Sequence, residues 1–245
     1  MVAYIIVGII AYLVGSISSS VTISKKMAGF DVREKGSGNA GATNMLRSVG
    51  KKAAALTLLG DALKGVAAIL FAVIVGAIAK NTDKALLVQI AGILVVIGHT
   101  FPIFFGFKGG KGVATSLGVI LLLNWKVGLI CLVFAVTLMA ITRMVSLGSI
   151  SAAILFPILS IPFQAGFIVE GNYFVFSVIM GFIVVFNHRS NLKRIFNGTE
   201  NRLSFKKKDE ENKDKKEEVK KEEKAEKVEE VEEVKEVNET KEETK

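Results

Sequence analysis

Residues 53–79 read AAALTLLGDALKGVAAILFAVIVGAIA, 27 residues in which only Asp61 and Lys64 can carry a charge. A helix rises ~1.5 Å per residue, so about 20 such residues cross the ~30 Å hydrocarbon core of a bilayer. The segment therefore reads as a membrane span, and the same pattern recurs along the chain. Further apolar runs cover roughly 3–23, 85–105, 127–141, 147–163 and 167–187. The run 113–124 is apolar but short for a full crossing. The expectation is an all-α, polytopic membrane protein with about seven transmembrane helices, in which Pro157 and Pro162 bend or end the sixth. The first run is too long for the apolar part of a signal peptide and lacks a basic segment before it, so it reads as a retained span.

Composition agrees. The chain of 245 residues is 51% hydrophobic, with a mean hydropathy of +0.46. Its net charge of +8 hides two unlike parts. Residues 203–245 hold 13 Lys against 17 acidic residues, whereas 1–202 hold 18 basic against 6 acidic ones. The tail has no aromatic residue after Phe205 and too little apolar surface to repay the entropy of ordering, so disorder is expected there. The basic body points to anionic partners such as lipid headgroups and phosphates, although basic cytoplasmic loops explain part of the excess. With the amino terminus outside, the loop 24–52, the stretch 106–112, Arg143 and the carboxy terminus all fall inside, leaving Lys80, Lys84 and Lys126 outside. Positive charge then lies on the cytoplasmic face.

Three polar segments share that face. The first, GSGNAGATNMLR (Gly36–Arg47), concentrates glycines and small polar side chains. Gly36 and Gly38 would let backbone amides approach an anion, and Ser37, Asn39, Thr43 and Asn44 add neutral groups. Arg47 offers a bidentate cation suited to phosphate. The spacing is not that of a P-loop. The second, GHTFPIFFGFKGGKGVAT (Gly98–Thr115), sets Gly110 and Lys111 before a helix start, where an anion is favoured. His99 reads equally well as a buried structural group. The third, NHRSN (Asn187–Asn191), puts His188 and Asn191 one turn apart at a membrane boundary. Asp61 and Lys64 are a functional pair or a self-neutralising one. Ser149 lies near the same face, placed to cap a helix or to meet an anion.

Absences narrow the chemistry. Neither histidine is followed four intervening residues later by an acid, so a His-x4-Asp acyltransferase pair is missing. HExxH is absent, and Cys131 stands alone, so neither a metal nor a disulfide is expected. A transporter of small phosphorylated anions and a membrane scaffold with a recruiting tail are the rival classes.

Taken together, DVREKGSGNAGATNMLR, GHTFPIFFGFKGGKGVAT and HRSN, in that order, resemble the signature regions of the bacterial acyl-phosphate:glycerol-3-phosphate acyltransferases, the PlsY family. The resemblance covers 1–202, and residues 203–245 lie outside it. One departure is Ser18, in GSIS, where the family usually has proline. The resemblance implies a seven-helix enzyme of the bacterial cytoplasmic membrane with its site facing the cytoplasm. It implies acyl transfer from acyl phosphate to the sn-1 hydroxyl of glycerol 3-phosphate, giving lysophosphatidic acid and phosphate for phospholipid synthesis. No cofactor and no nucleic acid are implied. On this reading Gly36, Gly38, Asn39, Thr43, Asn44, Arg47, Gly110, Lys111 and Ser149 bind phosphate, while His188, Asn191 and Ser37 serve the reacting groups, Ser37 as an anion ligand rather than a nucleophile.

Overall fold

The computed structural model describes residues 1–163, 168 and 171–203. Among them there are ten α-helices, two short 3₁₀ turns and no strand. In chain order the helices are α1 (Val2–Gly15), α2 (Ser19–Ala28), α3 (Ala42–Ser48), α4 (Lys51–Ile78), α5 (Lys84–Thr100), α6 (Val113–Leu123), α7 (Trp125–Thr142), α8 (Val145–Ser160), α9 (Phe174–Asn187) and α10 (Arg189–Phe196). Met1–Arg202 forms one unit and Leu203–Lys245 a second. The expected start of the last span at Phe167 and the tail beyond Leu203 lie outside the described residues.

The all-helical, membrane-type architecture matches the reading of the sequence. Four stretches have the length and apolarity of a crossing, 2–28, 51–78, 84–105 and 125–142, and α9 with α10 makes a fifth if the bent pair counts as one. The helices α6 and α8 are apolar but shorter. At 11 residues, α6 spans about 16 Å, roughly half the hydrocarbon core. Asn124 sets its limit and starts the next helix, accepting from Val127 N–H at 3.2 Å and donating to Phe163 C=O at 2.8 Å.

The first span departs from the expected continuous helix. It breaks at Ser16–Ser18. Ser18 is the N-cap of α2, with its hydroxyl facing Val21 N–H at 3.5 Å. The residue that stands in place of the family's usual proline thus supplies a cap, which is a common use of serine. The break frees the Ile17 carbonyl, and the Lys64 ammonium donates to it at 2.7 Å. Lys64 also lies 2.9 Å from Asp61 Oδ1, so the intramembrane pair holds a broken helix against α4.

Helix pairs approach closely where glycine removes a side chain. A Cβ on Gly15 would stand 2.2 Å from the Val95 carbonyl oxygen, and one on Gly98 2.2 Å from that of Tyr12. This locks α1 to α5 backbone to backbone, as small residues do between membrane helices. The buried core includes Val7, Ile69, Leu87, Val119 and Phe176, while Ile9, Ile74, Val133 and Phe182 stay exposed on the outside. Apolar residues facing outward are expected where lipid is the solvent.

Candidate active site

The segment from Asp31 to Gly41 is folded by its own side chains. Arg33 donates to Asp31 Oδ1 from Nε at 3.0 Å and to Oδ2 from Nη2 at 2.8 Å. Its Nη1 reaches across to the carbonyls of Phe105, at 2.6 Å, and Lys108, at 3.1 Å. The first basic loop is thereby tied to the second. Beside it, Ala40 N–H donates to Gly109 C=O at 3.4 Å.

Asn44 is the hub of the first loop. Its Oδ1 accepts from Ser37 N–H at 3.0 Å. Its Nδ2 donates to the carbonyls of Val32, Lys35 and Asn39 at 2.9–3.1 Å. Gly36 lies in the left-handed region at φ +59, and a Cβ there would meet Asn44 Oδ1 at 2.3 Å. These bonds occupy two backbone amides of the Gly36–Gly38 segment. Ser37 N–H is taken by Asn44, and Gly38 N–H by the Lys35 carbonyl at 3.1 Å. The Asn44 side chain is likewise used inside the loop. Replacing Asn44 by Ala leaves a buried amide and carbonyls without partners, an expected loss of about 3 kcal/mol. A fall in the thermal unfolding midpoint of the purified protein would register it; an unchanged midpoint would remove Asn44 from this role.

What the loop does present is side chains. Thr43 and Arg47, one turn apart on α3, line a cavity of about 350 Å³ together with Ser37 and Asn39. Among the described residues no hydrogen bond or ion pair engages the Arg47 guanidinium. Lys111, just before α6, lines the same cavity, and its ammonium donates to Asn191 Oδ1. Gly36, Gly38 and Gly110 lie next to these residues but not on the wall. Burial lowers the Lys111 ammonium to a pKa of about 8, and the nearby Arg194 and Arg47 charges add to this while Glu200 opposes it.

The third segment closes the cavity from the other side. The chain turns by 62° between α9 and α10, with His188 at the corner. His188 Nδ1 is 2.7 Å from the Val184 carbonyl. A carbonyl can only accept, so Nδ1 carries the proton, and in the neutral ring Nε2 is the acceptor. One turn on, Asn191 donates from Nδ2 to Glu200 Oε1 at 2.8 Å. That carboxylate also accepts from Ser146 Oγ at 2.8 Å and from Arg194 Nε at 2.8 Å. Burial pushes Glu200 upward, but the bonds from Asn191, Ser146 and Arg194 and the Arg194 charge hold it below the usual carboxylate value. Ser149 lines the cavity with its hydroxyl bonded to the Val145 carbonyl at 2.9 Å.

Glu200 and Arg194 are the site residues that sequence reading passed over. The signal was there: Glu200 is one of only 6 acids in residues 1–202. Asp61 and His99 also reach the wall. His99 Nδ1 lies 3.5 Å from Asp61 Oδ1, and a Cβ on Gly110 would meet His99 Nε2 at 2.2 Å. The imidazole thus packs against the loop that carries Lys111. Among the described residues no cluster of His, Cys, Asp and Glu has the geometry to hold a metal.

Below its polar mouth the cavity is apolar, walled by Leu117, Leu132, Val136 and Met139, among others. One cavity therefore joins cations, a neutral imidazole acceptor and a long apolar wall.

Comparison with known proteins shows the family. Residues 5–198 match the glycerol-3-phosphate acyltransferase family. A glycerol-3-phosphate acyltransferase of Clostridioides difficile (strain 630) is 45% identical over 207 residues, covering 84% of this chain and 98% of the relative. One of Shouchella clausii (strain KSM-K16) is 40% identical over 206 residues, covering 84% and 98%. Two crystal structures of PlsY (YgiH), an integral membrane glycerol 3-phosphate acyltransferase, share the fold. The glycerol 3-phosphate form superposes with a TM-score of 0.72 at 37% identity, covering 82% of this chain and 96% of that one. The lysophosphatidic acid form gives 0.70 at 35%, covering 82% and 95%. With its three polar segments converging on one cavity, this chain belongs to the PlsY family of membrane glycerol-3-phosphate acyltransferases.

Proposed function

We propose that the chain transfers a fatty acyl group from acyl phosphate to the sn-1 hydroxyl of glycerol 3-phosphate, at the cytoplasmic face of a bacterial cytoplasmic membrane. The products are 1-acyl lysophosphatidic acid and inorganic phosphate. The observation that carries this is the single cavity in which Arg47, Lys111 and Arg194 stand over an apolar groove. Both substrates bear phosphate, and one of them bears an alkyl chain, so both halves of the cavity have a use.

In the reaction the sn-1 oxygen forms a bond to the acyl carbonyl carbon. The bond from that carbon to the phosphate oxygen breaks, and phosphate leaves with the electron pair. A mixed anhydride has a good leaving group, so positioning and charge stabilisation suffice and no covalent enzyme intermediate is needed. Arg47 and Lys111 hold the phosphates, with Ser37, Thr43 and Asn39 as neutral partners. His188 Nε2 accepts the hydrogen bond of the attacking hydroxyl, whose proton passes to the departing phosphate. Asn191, fixed by Glu200, orients the hydroxyl or the developing oxyanion. Asn44, with Gly36 and Gly38, keeps the first loop in shape, and Gly110 gives the second loop room against His99.

Orientation follows from charge. The stretch 24–52, the stretch 106–112, Arg143 and the segment 188–202 carry 14 of the 18 basic residues of 1–202. Placing that face in the cytoplasm satisfies the positive-inside rule and puts the amino terminus outside. The exposed Leu58 and Val136 on the cavity wall give an acyl chain an entry from the bilayer.

The lowered pKa of Lys111 gives the reaction a pH signature. The ammonium is present below about pH 8 and is lost as pH rises through that value. The free-enzyme kcat/KM for glycerol 3-phosphate should therefore fall on the basic side with a midpoint near 8. Lys111→Arg should remove that limb, because guanidinium stays charged. A limb that persists unchanged in the variant belongs to another group.

The product decides the reaction itself. Purified protein in lipid, given palmitoyl phosphate and labelled glycerol 3-phosphate, should yield 1-palmitoyl lysophosphatidic acid and one phosphate per turnover. A 2-acyl product, or counterflow of labelled glycerol 3-phosphate across the membrane without product, overturns the proposal.

A further inference from the structure

The apolar part of the cavity runs between α6, α7, α8 and α9. On each helix the deepest lining residue is Ile120, Cys131, Phe156 or Met180, respectively. Counted from the first lining residue at the polar end of each helix, these lie seven to eleven residues in: Val113 to Ile120, Met139 to Cys131, Val145 to Phe156 and His188 to Met180. At ~1.5 Å per residue that is a depth of about 10–16 Å. Above these residues α8 and α9 present small side chains, Ala152, Ala153 and Gly181, while Leu117, Leu132 and Val136 line the facing helices. At this depth α8 and α9 become bulky, with Phe156 and Met180. Below it the interior is closed: Leu123 and Val127 are fully buried, and the hydroxyls of Ser160 and Ser177 meet at 2.9 Å. Phe156 is braced from beneath by Phe176, edge to face at 6.2 Å between ring centres, and Phe176 in turn by Tyr173 at 6.0 Å.

We propose that Phe156, flanked by Met180, Cys131 and Ile120, is the floor of an acyl-chain groove and sets the chain length the protein prefers. The inference rests on the acyl-donor reading above. A saturated chain built from C–C bonds of ~1.5 Å advances about 1.25 Å per carbon, so the groove takes about eight to thirteen carbons straight. Longer chains have to turn out at the side, where Val136 is 53% and Leu58 50% exposed. A braced ring at the bottom cannot yield to them as a flexible side chain would.

The test uses the full chain in lipid and acyl phosphates from hexanoyl to palmitoyl, reading kcat/KM at each length. Phe156→Ala deepens the groove and should move the optimum to longer chains by two to four carbons. Ala152→Phe plugs the groove one helical turn above the floor, and should move it to shorter chains by about four carbons, the equivalent of ~5.4 Å. If Phe156→Ala does not fold, Ala152→Phe decides alone. An active wild type whose profile is kept by the folded variants, or a folded Ala152→Phe protein inactive at every length, overturns the floor while leaving the donor reading intact. A wild type that makes no product at any length overturns both.

Discussion

Arg47→Ala and Lys111→Ala should each lower kcat/KM for acyl transfer by about 10²- to 10³-fold, with little change in thermal unfolding. The size follows from what these groups do. A charged donor aimed at a phosphate in a site shielded from water makes a short, strong bond that no solvent molecule replaces. Arg47 carries no structural bond among the described residues, so its removal spares the fold. Among the described residues the Lys111 ammonium hydrogen-bonds to Asn191 alone. Arg47→Lys should recover part of the loss and no more, because a point charge cannot grip a phosphate bidentately. Steady-state kinetics with both substrates varied would show it. Near wild-type turnover and affinity in Arg47→Ala would place Arg47 outside the site.

Glu200→Ala should cost about 10²-fold in turnover and, unlike the first pair, should also destabilise the protein, by about 2–3 kcal/mol. Three donors lose their acceptor at once: Ser146 Oγ, Asn191 Nδ2 and Arg194 Nε. Asn191 is then free to turn away from Lys111. The Arg194 charge, no longer balanced, bears more strongly on the Lys111 ammonium. The basic limb of the pH profile should therefore move to lower pH, a change that loosened packing alone would not make. Glu200→Gln retains an acceptor for Asn191 and Ser146 and should fall between the two. An alanine variant with normal turnover and an unmoved limb would confine Glu200 to the periphery.

The architecture was legible because hydropathy is a property of long windows. Runs near 20 residues announced themselves, and the ambiguity at 113–124 was a true one: α6 is half the length of a span. The break at Ser16–Ser18 was not legible, since two serines around an isoleucine hardly alter the average of an apolar run, and the ammonium that stabilises the break comes from α4. The candidate site was legible as three segments because loop glycines and cations stand out against apolar spans. Their division of labour was not. Asn44 counts as a ligand in a list of donors, and only the folded loop shows its four bonds turned inward. Glu200 follows α10, outside every motif, and its partner Ser146 is 54 residues away. Contacts across such distances leave no local pattern to read.

The central claim is that acyl phosphate itself is the donor at this cavity. The most direct measurement supplies purified protein in lipid with labelled glycerol 3-phosphate and either palmitoyl phosphate or palmitoyl-CoA. Labelled lysophosphatidic acid from palmitoyl phosphate alone is the predicted result. Product from palmitoyl-CoA alone, or from neither donor with folded protein, would contradict it.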